Sequence, residues 1–299
     1  MRYWHVTLTS VTGSALSHVD RTDRSPLTWE GDNVRASLIQ LDIDPAESPD
    51  DRRTRTAALV RGLRGSDLVL LPELWPLGGF AYDTWSAGAE TLDGPTADAM
   101  SAAAADAGVW LHAGSIVERD PDGPIFNTSL LFSPTGELVH TYRKIHRFGF
   151  DSGEAVAMGA GTEIVTAATP FATLGLATCY DLRFPELFRA LLDAGTEVFT
   201  IPAAWPARRV EHWTLLARAR AVEEQAYVLA CNNAGTHGGV PQGGHSLVVD
   251  PWGTVLAEAG EGEEILTVDL DPGVVAKSRA DFPVLRDRLM GIPAPVERG

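Results

Sequence analysis

Phe171-Ala-Thr-Leu-Gly-Leu-Ala-Thr178 runs directly into Cys179-Tyr-Asp-Leu-Arg-Phe-Pro-Glu-Leu187. The first stretch is mostly apolar and short, the pattern of a buried strand. The second reads as a turn that enters a helix. A cysteine at such a junction can have its sulfur held between backbone N–H groups and the helix start. That setting lowers a thiol pKa and suits a nucleophile. Taken alone, one cysteine at the end of a buried strand is more simply a small hydrophobe, so its meaning depends on the rest of the chain.

Strands and helices alternate on both sides of this junction. Val34–Leu41 suits a first strand, 42–51 a loop and 52–63 a helix with Gly65 near its exit. Leu68-Val-Leu-Leu71 is a continuous apolar run, typical of a strand covered on both faces, and Pro72-Glu73 follows at once. Residues 74–94 read as an aromatic, glycine-rich loop carrying Trp75, Phe80, Tyr82 and Trp85. An alanine-rich helix over 95–107 and a strand over 109–118 come next. Asn127–Phe132 and Leu138–Tyr142 pair around Ser133-Pro-Thr-Gly136, and 148–161 is loop-like. Beyond Cys179 the pattern predicts a helix over 186–194, a strand over 197–202 and a second aromatic loop opening at Ala203-Ala-Trp-Pro206. A helix over 212–226 follows, with Leu215, Leu216, Ala219 and Val222 at helical spacing. A strand over 226–231, a polar glycine-rich loop over 232–244, a hairpin around Asp250-Pro-Trp-Gly253, a strand over 265–270 and a helix from about 272 to 280 complete the series.

This alternation implies one large α/β domain over 33–289. Residues 1–32, rich in Ser, Thr, Asp and Gly, read as a leader outside it, with some strand propensity at 7–12. Residues 281–299 read as a polar, proline-containing tail, whose end, 290–299, extends beyond the domain and suits a crossing onto another subunit.

The 299 residues are 44% hydrophobic, enough for a sizeable core. Lys and Arg total 24 against 40 Asp and Glu, and the resulting formal charge of -16 disfavours nonspecific nucleic-acid binding. The only two cysteines, Cys179 and Cys231, lie in apolar runs. They do not make a stapled scaffold, and reduced thiols fit a cytoplasmic location. No Cys or His cluster has metal-site spacing, no cofactor is called for, and no apolar run reaches membrane-spanning length. No secretory signal is evident at the start.

Three chemically able residues fall at predicted strand ends. A carboxylate at the tip of a buried strand is expensive unless paired, so Glu73 either caps a loop or serves an active site. Lys144, in Tyr142-Arg-Lys-Ile-His-Arg147, either joins a solvated charge patch or points its ammonium into a pocket. With Cys179 these residues supply a base, a cationic stabiliser and a nucleophile, the set that amide cleavage needs. Glu154 is a third acidic candidate.

With these motifs in order, the sequence resembles the nitrilase, or carbon–nitrogen hydrolase, superfamily over 33–289. Leu71-Pro-Glu-Leu74, Tyr142-Arg-Lys-Ile-His146 and Cys179-Tyr-Asp-Leu-Arg-Phe-Pro-Glu186 resemble its glutamate, lysine and cysteine motifs. The resemblance implies a four-layer α-β-β-α sandwich, a Glu73–Lys144–Cys179 triad, and Glu154 as the additional glutamate that positions substrate and lysine. It also implies the Tyr180 backbone N–H as oxyanion donor, and pairing through outer helices into a homodimer or higher homo-oligomer. Cys179-Tyr-Asp resembles the amidase branch more than the Cys-Trp-Glu pattern of many nitrilases. The 212–225 helix, Gly244-His-Ser246 and Asp250-Pro-Trp-Gly253 resemble omega-amidases and deaminated-glutathione amidases, which hydrolyse terminal carboxamides of small acids. The expectation is hydrolysis of a small linear carboxamide through a thioester. Arg183, Arg208 and Arg209 are candidate partners for a distal carboxylate, and Trp205 is a candidate pocket residue. An N-carbamoyl amino-acid or ureido hydrolase is the alternative on the same triad; a nitrilase or a noncatalytic interaction protein stands further off.

Overall fold

Short apolar strands need cover on both faces, and the chain supplies it by stacking two sheets and lining each with helices. The computed structural model describes residues 33–290. Its elements in order are β1 (Val34–Gln40), β2 (Asp42–Ile43), α1 (Pro49–Arg61), β3 (Leu68–Leu70), α2 (Tyr82–Gly88), α3 (Pro95–Ala107), β4 (Trp110–Arg119), β5 (Ile125–Phe132), β6 (Leu138–Arg143) and α4 (Glu154–Ala157). Then come β7 (Val165–Ala168), β8 (Thr173–Leu176), α5 (Pro185–Asp193), β9 (Val198–Ala203), α6 (Val210–Glu224), β10 (Tyr227–Asn232), β11 (Ala234–His237), β12 (Val240–Pro241), β13 (Leu247–Val249), β14 (Val255–Glu258), β15 (Glu264–Leu270) and α7 (Gly273–Asp281).

One sheet has the order β15-β1-β3-β4-β5-β6 and the other β14-β13-β10-β9-β8-β7. Each has a parallel centre, β1-β3-β4 in one and β8-β9-β10 in the other, flanked by antiparallel strands. The inner core between the sheets includes Leu38, Leu70, Leu131, Leu174, Leu229 and Val248. On the outer face of the first sheet, Val60 of α1 and Met100, Ala103 and Ala104 of α3 pack on Val69, Leu111 and Leu130. On the outer face of the second, Phe188 and Leu191 of α5 and Trp213, Ala217 and Ala221 of α6 pack on Phe199, Ile201 and Val228. The layers are therefore α-β-β-α, as the family resemblance implies. Local signals place the helix starts. Ser48 caps α1, accepting from Asp51 N–H at 3.1 Å, and proline occupies the first turn of α1, α3 and α5.

Several elements depart from the sequence reading. The loop over 74–94 contains α2, and Trp75 and Trp85 are wholly buried through indole N–H bonds to Ala113 O and Gly78 O. The polar loop over 232–244 contains β11 and β12, which join β2 in a small third sheet. The apolar stripe read on α6 splits: Leu216 packs on the core, whereas Leu215 is 64% and Val222 50% exposed, and Arg220 and Glu224 are buried. The tail region begins with the last residue of α7 and a tight turn at Val284–Asp287, and Arg288 pairs with Asp193 at 2.6 and 3.0 Å. The expectations for 1–32 and for 291–299 lie outside the described residues.

Glu224 accepts from Arg189 Nη1 at 2.9 Å, yet burial pushes its carboxyl up to about 7, against the pull of that guanidinium. A folded-state pKa above the ordinary 4.5 means that the folded chain binds this proton more tightly than the unfolded one. The resulting stabilisation is complete below the unfolded pKa and is lost as pH rises through the folded one. Urea unfolding should therefore show a loss from this group of about 1–3 kcal/mol between acid and mildly alkaline pH. Glu224→Gln should flatten that segment of the profile, and an unchanged slope in the variant would exclude Glu224 as its source.

Candidate active site

The two sheets meet at one edge of the sandwich, where several strands end. Glu73 follows β3, Lys144 follows β6, Cys179 follows β8 and Ala204 follows β9. Glu73 joins the sheets there. Its N–H donates to Ala203 O at 3.3 Å, its Oε2 accepts from Ala204 N–H at 2.7 Å, and its backbone carbonyl accepts from Asn233 Nδ2 at 2.8 Å. An α/β protein commonly uses the carboxyl ends of parallel strands in this way, because backbone groups leaving the sheet are free to meet ligands.

Lys144 Nζ lies 2.7 Å from Glu73 Oε1 and 2.7 Å from Glu154 Oε2, and all three side chains are buried. Burial alone would depress the ammonium pKa. The Glu154 and Glu73 carboxylates outweigh it and hold the group well above its ordinary value. Burial, with Glu73 adding to it and Lys144 opposing, raises Glu154. Asn127 completes the cluster. Its Nδ2 donates to Glu73 Oε1 at 2.8 Å and to Glu154 Oε1 at 2.5 Å, and its backbone carbonyl accepts from Lys144 N–H at 2.9 Å. Asn127 was read only as the start of a hairpin strand. Its inward direction depends on strand register, so its role could have been found only by fixing the pairing of β5 with β6.

Cys179 opens a tight turn, Cys179–Arg183, with φ of 48°, a left-handed conformation uncommon and strained for a residue with a Cβ. A capping box secures the turn: Thr178 and Asp181 exchange side-chain-to-backbone bonds. Asp181 also accepts from Tyr142 Oη at 2.7 Å and from His146 N–H at 3.0 Å, tying the cysteine turn to the strand end that carries Lys144. Tyr180 is second in the turn, where backbone N–H groups have no intrahelical acceptor.

The thiol itself departs from the expectation of a lowered pKa. Burial, then the Glu73 carboxylate to which it is hydrogen-bonded, pushes it well above the ordinary 9.0, and Lys144 only partly offsets this. The helix start does not compensate for a dry site that already holds a carboxylate, so the resting group is a thiol. Cys231 is also free and buried, its Sγ donating to Ile39 O at 3.3 Å.

A narrow cleft opens onto Glu73, Lys144, Glu154 and Cys179. Phe80, Tyr82, Phe148, Tyr180 and Trp205 give it aromatic walls, and Arg183 and Arg209 give it positive charge. Arg183 lies over the Trp205 ring at 4.6 Å and bonds His212 Nδ1 at 3.3 Å, while Arg209 lies over Phe148 at 5.2 Å. Burial, with Arg208 and Arg183 nearby, lowers the pKa of Arg209. Arg208, the remaining candidate, is exposed and is not among the residues that line the cleft. Among the described residues no group of three or more His, Cys, Asp or Glu could hold a metal ion. No described helix is long and apolar enough to cross a membrane.

Residues 35–280 match the family model described as carbon-nitrogen hydrolase. The chain is 45% identical to a 2-oxoglutaramate amidase of Paenarthrobacter nicotinovorans over 259 residues, 84% of this chain and 88% of that one. It is 36% identical to the omega-amidase NIT2 of Homo sapiens, over 86% of this chain and 95% of that one. Among solved structures, XC1258 of Xanthomonas campestris, a CN-hydrolase superfamily protein with an arsenic adduct in its active site, superposes with a TM-score of 0.80 at 33% identity, covering 87% of this chain and 99% of that one. Fold, matched length and identity agree, and the chain belongs to the carbon-nitrogen hydrolase family.

Proposed function

We propose that the protein hydrolyses the terminal carboxamide of a small linear acid, an omega-amide of a carboxylic or alpha-keto acid, to the free acid and ammonia. The observation that carries this reading is the company Cys179 keeps. A buried Glu73–Lys144–Glu154 cluster opens on the same cleft as two arginines, Arg183 and Arg209, that have no carboxylate partner among the described residues. Elsewhere Arg52, Arg55, Arg143, Arg189 and Arg288 are each paired with an acid, and Arg147, Arg218 and Arg279, which are not, donate to backbone carbonyls instead. An unpaired guanidinium in a partly dry cleft complements a carboxylate, which it can grip through two parallel bonds. The names of the two amidase relatives support the same substrate class and favour the amide over the ureido alternative.

In this mechanism Glu73 takes the proton from Cys179 Sγ as the sulfur attacks the amide carbon. The carbonyl oxygen becomes an oxyanion, stabilised by Lys144 Nζ and the Tyr180 N–H. Collapse breaks the C–N bond, and the proton held by Glu73 leaves with the amine as ammonia. Glu73 then deprotonates a water that attacks the thioester. The acid departs and the thiol recovers its proton. Glu154 and Asn127 hold Lys144 and Glu73 in place, and Trp205 forms part of the substrate wall.

The hydrolase unit spans 33–289 in this reading. Pairing into a homodimer is supported by the outward apolar face of α6, with Leu215 and Val222, and by exposed Trp252 and Phe282 nearby in the fold. A cytoplasmic setting is supported by the two free thiols.

Cys179→Ala should retain the fold and lose turnover, and hydroxylamine should divert the wild-type acyl group to a hydroxamate. Wild-type rates in Cys179→Ala would end the assignment. Glu73→Gln should lower kcat by about 100- to 10,000-fold, the usual contribution of a general acid–base. Asn127→Ala, which removes donors to both carboxylates, should lower kcat by about 10- to 100-fold, since bonds to charged groups are among the stronger ones; steady-state kinetics at one pH reads both. For the substrate class, a terminal amide with a distal carboxylate is compared with its methyl ester and with a neutral analogue of equal length. The charged compound should have the highest kcat/KM, and Arg209→Gln should narrow the gap. Equal rates across the series would reject the carboxylate while leaving the triad intact, and carbon dioxide release from ureido compounds would move the protein to that class.

A further inference from the structure

Gly79 and Phe80 line the cleft from a segment that lies outside the sheets, so each N–H there needs its own acceptor. Gly79 N–H donates to His237 Nδ1 at 2.9 Å. A backbone N–H can only donate, so Nδ1 is bare and Nε2 carries the ring proton. His237 is buried, and desolvation, with Arg52 adding to it, pushes its pKa down to about 3. The imidazole is therefore a neutral acceptor throughout the neutral range.

Two close approaches reinforce this anchor. A Cβ on Gly79 would lie 2.3 Å from Ala204 Cβ, and Ala204 is the residue whose N–H binds Glu73 Oε2. Gly238, next to His237 and left-handed at φ of +51°, passes so near the same segment that a Cβ there would meet Phe80 O at 2.1 Å. The β11–β12 hairpin thus holds Gly79 and Phe80 at two adjacent points, while Gly79 abuts the peptide that orients Glu73.

We propose that His237 is a positioning residue that sets the width of the cleft beside Glu73: by holding Gly79 against Ala204 it fixes where Phe80 stands, and hence which acyl chain fits. The substrate part of this inference rests on the amidase reading above, whereas the anchor does not. Nothing in the Glu-Lys-Cys motifs points to residue 237, which lies in the stretch read as a loop.

The test compares His237→Leu, which leaves the half-buried Gly79 N–H without its acceptor, with His237→Asn, whose Oδ1 can occupy the place of Nδ1. In the leucine variant KM for the best omega-amide should rise by about 5-fold, the lower end of what an unpaired buried donor costs. Its kcat should change far less, and discrimination between amides differing by one methylene should weaken. Asparagine should restore both. Amide hydrogen exchange at Gly79 and Phe80 should quicken in the leucine variant and return toward wild type in the asparagine one. This readout needs no substrate, so it decides the anchor even if the wild-type protein turns over no amide, a result that would sink the functional reading alone. An unchanged KM, length preference and exchange rate in folded His237→Leu would overturn the proposal. So would equal losses in both variants that merely track the folded fraction. If leucine prevents folding, His237→Ala, which also removes the acceptor, takes its place. Altered length preference and exchange then support the anchor, and wild-type values refute it.

Discussion

Lys144 Nζ sits where almost no water reaches, and only the carboxylates of Glu73 and Glu154 make a charged ammonium tolerable there. Breaking such a buried set by removing one member leaves an uncompensated charge, a far larger cost than the net worth of the pair. This one requirement explains much of the surrounding architecture. The partners must converge from β3, the end of β6 and the start of α4 without slack. They are held by the Lys144–Asn127 backbone bond and by Glu154 Oε2, which also accepts from Phe148 N–H at 2.7 Å. The second sheet is needed as well, because Ala204 N–H satisfies the remaining oxygen of Glu73. A single sheet with helices on both faces has no second set of strand ends to offer.

The same cluster explains why base and nucleophile can share a dry site. Glu73 is bonded to Lys144, Asn127 and Ala204 and is also a partner of the thiol. Desolvation, with Glu73 adding to it, favours neutral sulfur. In the proposed reaction the ammonium also meets the negative charge that develops on substrate oxygen, with little solvent to reorganise.

Much of this was legible in the residues, and the limits have physical causes. Leu68–Leu71 and Pro95–Ala107 announced themselves, because a continuous apolar run and a proline-started alanine helix are local signals. Glu73, Lys144 and Cys179 were legible as strand-end chemistry, and their meeting was expected through the family resemblance. Features set by distant partners were not legible. β11 and β12 exist because β2 pairs with them, and their own glycine-rich sequence resembles a loop. Asn127 is an ordinary strand polar residue until register turns it inward. The stripe on α6 has a genuine helical period, yet Leu215 and Val222 face outward while Leu216 packs on the core, since periodicity identifies an apolar face and does not say what covers it. The elevated thiol pKa was hidden for a similar reason: the turn geometry at Cys179 is local, whereas desolvation and the Glu73 charge come from elsewhere in the fold.

Oxidative damage to cysteine begins at the thiolate, the form that meets peroxides and carries sulfur toward sulfenic acid. Its raised pKa holds Cys179 away from that form, although the sulfur borders the cleft. In the proposed reaction the sulfur becomes a strong nucleophile only as Glu73 removes its proton, so the electrophile placed to benefit is one already seated in the cleft.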